Sequence, residues 1–92
     1  MKILFKDTFV SRLERQLIFI SQDNPGNARK FKNALLTKIR DIPSNPYRFR
    51  KSIYFNDPFI RDLVFKGYTI VFRISDQIEV FGLVKFQDKP TD

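Results

Sequence analysis

The four residues Asp23-Asn24-Pro25-Gly26 constrain the fold more than any other stretch of the sequence. Asn is a favoured N-cap and Pro suits the first helical position, where its missing N–H costs nothing, so one helix must stop here and another begin at once. Upstream, Phe9, Leu13, Leu17 and Ile20 recur at helical spacing. Arg12, Arg15 and Gln22 fall on other faces, which predicts an amphipathic helix over 8–22 capped by Asp7 or Thr8. Ile18 and Phe19 widen its apolar stripe. Downstream, Ala28, Phe31, Leu35 and Ile39 repeat at 3, 4 and 4, with Arg29, Lys30, Lys32, Asn33 and Lys38 on the polar arc, to about residue 41. Helices joined this tightly must fold back as an antiparallel hairpin.

The remaining chain reads as strand and linker. A short apolar run edged by Lys2 and Lys6 predicts an N-terminal strand. Pro43 and Pro46 end the second helix and predict an extended linker over 42–50. Segments 59–65, 68–74 and 77–86 are rich in β-branched and aromatic residues and are separated by Lys66-Gly67 and Ser75-Asp76, as in a meander of tight hairpins. Tyr68, Ile70, Phe72 and Ile74 should face the helices, with Thr69, Val71 and Arg73 on the other side. The expected fold is a single α+β domain over 1–92 of order β-α-α-β-β-β. A helical hairpin packs on one face of a small, curved, mainly antiparallel sheet.

Composition narrows the chemistry. The chain has no Cys and no His. This excludes disulfide frameworks, thiolate zinc sites, cysteine nucleophiles and His-based triads, and no metal or other cofactor is expected. No run approaches a membrane span and no signal-peptide core opens the sequence, so a soluble cytoplasmic protein is expected. The net charge of +7 is local. Residues 24–51 hold eight basic residues (Arg29, Lys30, Lys32, Lys38, Arg40, Arg48, Arg50 and Lys51) against one acid, Asp41, while the rest of the chain is balanced.

Two basic surfaces follow. Arg61 and Arg73, with Lys85 on the last strand and Lys66 at a turn, are candidates for a cationic sheet face turned away from the helices, suited to a phosphodiester backbone. The second helix and linker offer the other surface, with Tyr47, Phe49, Tyr54 and Phe55 interleaved among its cations, suited to nucleic acid or an acidic protein. Both patterns are also what solvated faces of ordinary elements show. Metal-free phosphodiester cleavage would need Lys or Arg to stabilise the developing anion and a proton carrier drawn from Asp62, Glu79, Tyr68 or Lys85. No spacing singles out such a set, and Asp62 reads equally as a surface ion-pair partner.

The order of motifs resembles the RelE/ParE superfamily of toxins from type II toxin-antitoxin systems. An N-terminal strand precedes a helix ending in Ser21-Gln22-Asp23-Asn24-Pro25 and a helix carrying Ala28 and Phe31; Ile42-Pro43 and Pro46 come next. Ile60-Arg61-Asp62-Leu63, the run from Gly67 to Arg73 and a last strand from Ile78 to Lys85 complete the match over nearly the whole chain. The tight helical turn is closer to the ParE branch. The resemblance implies a growth-arresting, plasmid-stabilising toxin neutralised by a cognate antitoxin, acting on DNA gyrase in the ParE manner. The alternatives are a RelE-like ribosome-dependent mRNA endonuclease and a degenerate toxin that only binds nucleic acid. Thr69 stands where the superfamily often has Arg after Gly-Tyr, and Lys85 where a late His is common. These departures turn the expectation from nuclease toward non-enzymatic inhibitor. Arg61, Arg73 and Lys85 remain as the catalytic candidates; with Arg48, Arg50, Lys51 and Lys66 they form the expected target-binding set. Arg29, Lys30, Lys32, Lys38 and Arg40 are expected to meet an acidic or amphipathic antitoxin segment in a toxin-antitoxin hetero-oligomer.

Overall fold

The computed structural model describes residues 1–85. Its elements are β1 (Ile3–Phe5), α1 (Asp7–Asp23), α2 (Pro25–Arg40), β2 (Arg50–Lys51), β3 (Ile60–Phe65), β4 (Tyr68–Ile74) and β5 (Ile78–Lys85). The strands form one open sheet of order β1-β5-β4-β3-β2, antiparallel except where β1 runs parallel to β5 at one edge. This is the expected α+β architecture with β2 added as a two-residue edge strand. The expected last strand reached residue 86, which lies outside the described residues.

Asn24 does what its position requires. Its side chain accepts hydrogen bonds from the N–H groups of Gly26 (2.8 Å) and Asn27 (3.2 Å), and Pro25 opens α2. Val10, Leu13 and Leu17 of α1 share a cleft with Leu36 of α2. Leu36 lies about as far past Asn24 as Leu13 lies before it, so the helices run antiparallel. The start of α1 departs from expectation. Lys6 occupies the N-cap without a side-chain bond, and neither Asp7 nor Thr8 caps the helix. The Thr8 hydroxyl instead donates to the Phe81 carbonyl at 2.8 Å. That carbonyl belongs to a bulge: Val71 pairs with Gly82 and Phe72 with Val80, leaving Phe81 as the extra residue. A Cβ on Gly82 would lie 3.0 Å from that of Val71, so glycine lets β4 and β5 close beside the bulge.

One face of the sheet carries the core. Phe9, Leu13, Phe31, Leu35 and Ile39 from the helices meet Leu63, Phe65, Tyr68, Ile70, Phe72, Ile74, Ile78, Val80 and Leu83 from the sheet, all buried. Phe31 sets its ring 5.8 Å from Phe65 and 5.1 Å from Tyr68, which fixes α2 over the β3–β4 hairpin. The hairpin turn has Lys66 at φ 49° and Gly67 at φ 81°, the two positive values that match the twist of the flanking strands.

The linker is not extended. Residues Ile42–Ser44 and Pro46–Arg48 form two short 3₁₀ turns, each led by a proline at its first or second position. Ile42 is fully buried beneath them. Proline fixes φ near the helical value, so it starts a tight turn as readily as it ends an α-helix.

Candidate functional site

The sheet face opposite the helices was expected to be an open cationic surface. It is partly roofed. Residues 52–59 leave β2 and cross behind β3 and β4, burying Thr69 and Val71. Phe55 packs edge-on against Phe81 with ring centroids 5.6 Å apart, and Tyr54 lines clefts on both sides of the roof. Ile53, Tyr54, Phe55 and Phe59 nevertheless leave much of their surface to solvent.

Asp62 anchors this roof. Its side chain is fully buried, not at the surface. Its Oδ2 accepts from the Ile53 backbone N–H at 3.1 Å and from Arg50 Nη2 at 3.3 Å, while Oδ1 has no partner among the described residues. The Ser52 N–H donates to the Ile60 carbonyl, and the Ser52 hydroxyl accepts from the Tyr54 N–H at 3.2 Å. Burying an acidic side chain is costly unless it is paired, and here Arg50 and the Ile53 N–H supply the pairing.

The predicted cations separate into different environments. Arg61 pairs with Phe72 and Lys85 with Tyr68, which puts both on the helix side of the sheet; Arg73 pairs with Ile60 and Glu79 on the roof side. The expectation that Arg61, Arg73 and Lys85 share one face therefore fails on register. Arg61 is a staple. It donates from Nε to Pro58 O (2.9 Å) and from Nη1 to Phe49 O (2.9 Å) and Tyr47 O (3.4 Å), with its guanidinium 5.0 Å from the Tyr47 ring. Arg48 pairs with Asp41 at 2.7 Å and lies over the Phe49 ring. Its hydrogen bond and charge hold the Asp41 carboxyl below its ordinary range. Lys66 serves the hairpin turn, and Arg73 and Lys51 stand exposed.

Lys85 ends beside α1. Its Nζ lies 4.8 Å from the Phe19 ring, and it lines a cleft of about 290 Å³ with Arg12, Arg15, Gln16 and Leu83. Gln16 Oε1 accepts from the Tyr68 hydroxyl at 3.0 Å, and burial pushes that phenol above its ordinary value. Arg12 reaches toward the Leu83 carbonyl at 3.5 Å and also lines a second cleft, of about 370 Å³, with Thr8, Tyr54, Phe55, Val71, Phe81, Gly82 and Val84. In the sequence, Arg12 and Arg15 look like ordinary polar-face residues of a helix.

The helical hairpin presents a third feature. A cleft of about 260 Å³ opens between α1 and α2, lined by Phe5, Phe9, Val10, Leu13, Leu17 and Leu36 and edged by Glu14 and Lys32. Arg29, Lys30, Lys38 and Arg40 are exposed on the same helix as Lys32. Lys38 and Arg40 also occupy the last turn of α2, where positive charge complements the helix dipole.

A chain of the structure described as "Chromosomal ParDE TA system from P. aeruginosa" superposes on this one with a TM-score of 0.76 at 12% identity, covering 95% of this chain and 97% of that one. At that identity the likeness shows the fold alone. Comparison by sequence with curated proteins gives no match. The model of the family described as the ParE toxin of type II toxin-antitoxin system, parDE, matches residues 3–88. The chain belongs to the ParE toxin family. Among the described residues, no helix is long and apolar enough to cross a membrane.

Proposed function

We propose that this protein is the growth-arresting toxin of a type II toxin-antitoxin pair, held inactive by a cognate antitoxin and acting as a non-enzymatic inhibitor of DNA gyrase. The observation that carries the reading is the family match over residues 3–88 on a chain whose expected catalytic candidates, Arg61, Arg73 and Lys85, do not come together. Arg61 is committed to three backbone carbonyls and Arg73 lies on the opposite face from Lys85. Stabilising a developing phosphorane anion needs donors that converge on one point. The separation of these candidates supports inhibition over cleavage.

The antitoxin reading rests on the helical hairpin. An apolar cleft edged by Lys32, on a helix that also exposes Arg29, Lys30, Lys38 and Arg40, suits an amphipathic segment with acidic residues along its rim. Of the exposed members of the proposed target-contact set, Lys51 and Arg73 make no side-chain hydrogen bond, ion pair or ring contact among the described residues.

Purified protein added to a gyrase supercoiling reaction, and separately to ribosomes programmed with mRNA, tests the target. Loss of supercoiling with trapped DNA breaks is the expected result. Cuts in the mRNA at the ribosomal A site with supercoiling intact would replace this reading with ribosome-dependent cleavage.

A further inference from the structure

We infer that the two clefts joined by Arg12 form a binding groove for a short single-stranded phosphodiester chain. The first cleft supplies charge. Arg12, Arg15 and Lys85 converge on it from α1 and the end of β5, and among the described residues no Asp or Glu lines it. None of the three makes an ion pair among the described residues, where the salt bridges are Arg48–Asp41 and Arg50–Asp62. Arg12 spends one long hydrogen bond on the Leu83 carbonyl, so most of its five N–H donors remain available. The Gln16 carbonyl oxygen already accepts from Tyr68, and its amide NH₂ is free to donate among the described residues. Donors therefore dominate the side chains that line the first cleft.

The second cleft supplies flat apolar surface. Tyr54 and Phe55 are each about half exposed, at 47% and 45%, and Phe55 is held edge-on by Phe81. Gly82 contributes no side chain, and Val71 and Val84 complete the lining. Arg12 lines both clefts, so the donors begin where the rings end. A cationic track beside aromatic rings is how proteins hold unpaired bases: phosphates lie along the donors and bases stack on the rings. An acidic peptide without aromatic residues would satisfy the cations but would leave the rings unstacked. The groove also lies outside residues 24–51, where the net charge is concentrated, so it is separable from general attraction by α2 and the linker. Its claim is independent of the gyrase reading, because binding is scored without any target enzyme.

Fluorescence anisotropy of the full chain with labelled 12-nucleotide oligo-dT and oligo-U, across a salt series, tests it. Arg12→Gln with Arg15→Gln is expected to weaken binding about tenfold or more at low salt and to flatten the slope of log K against log salt by about 0.7 for each phosphate no longer neutralised. Phe55→Ala is expected to weaken binding about fivefold or more with the slope unchanged. Arg29→Gln with Lys30→Gln, on α2, should do neither. These positions are exposed, and matched melting curves show that each variant folds. Binding of both oligomers, or of one only, supports the groove and names the nucleic acid. The proposal is overturned by absence of salt-sensitive binding, by equal losses in the α2 variant, or by an oligo-Glu peptide that competes as well as unlabelled oligomer.

Discussion

The two faces of the sheet are covered by different means. On one, α1 and α2 lay periodic apolar stripes onto Ile70, Phe72, Ile78 and Val80, all essentially inaccessible. On the other, an aperiodic segment is held over Thr69 and Val71 by a buried carboxylate, a serine and one edge-on ring pair. Stability concentrates on the first face, because area removed from water dominates folding energetics. The second keeps aromatic surface exposed beside cations, which is what a binding surface requires and a core does not.

The largest expected effect breaks the first face. Phe72→Ala should cost about 3–5 kcal/mol by leaving a cavity in the core, measured as a shift in denaturant midpoint. Next comes the anchor of the second face. Arg50→Ala leaves the Asp62 carboxylate buried with a single backbone donor and should cost about 2 kcal/mol. Smaller still, Phe55→Ala should cost at most about 1 kcal/mol, since the ring is already half exposed. Its signature is local: amide exchange at 53–56 and at Val71 should accelerate while Leu13 and Leu35 keep their protection. Equal acceleration at Leu35 would show that roof and core open together and would dissolve the distinction between faces.

The smallest effect concerns the exposed Arg48–Asp41 pair. The Asp41 carboxyl is held below its unfolded value, so its contribution is present above that value and fades as pH falls through the folded one. Arg48→Ala should leave the neutral-pH melting temperature nearly unchanged and remove only a slight loss of stability on acidification, as read from melting curves between pH 6 and pH 3.

How much of this was legible in the sequence follows the same division. The helical hairpin and the β3–β4–β5 meander follow from period 3.6, period 2 and the turn residues, and the structure places them within a residue or two of the expected bounds. The linker's 3₁₀ turns and the roof carry no period. Ile53, Tyr54, Phe55 and Phe59 alternate with nothing, and only tertiary contact assigns them a face. Asp62 looked like a surface acid because its neighbours in sequence say nothing of residues 50–53 lying over it. The side taken by Arg61 was within reach: a two-residue turn at Lys66-Gly67 pairs Phe65 with Tyr68 and therefore Arg61 with Phe72. The meeting of Arg12, Arg15 and Lys85 was not, since they are brought together across about seventy residues by the packing of α1 on β5.

The most direct test of the central claim is growth after induction of the intact chain in bacteria, with and without co-expression of the product of the neighbouring small reading frame. Arrest within a few generations, relieved by that product, which co-purifies with the chain at moderate salt, is the predicted result. Normal growth at confirmed expression of folded protein would contradict the toxin reading.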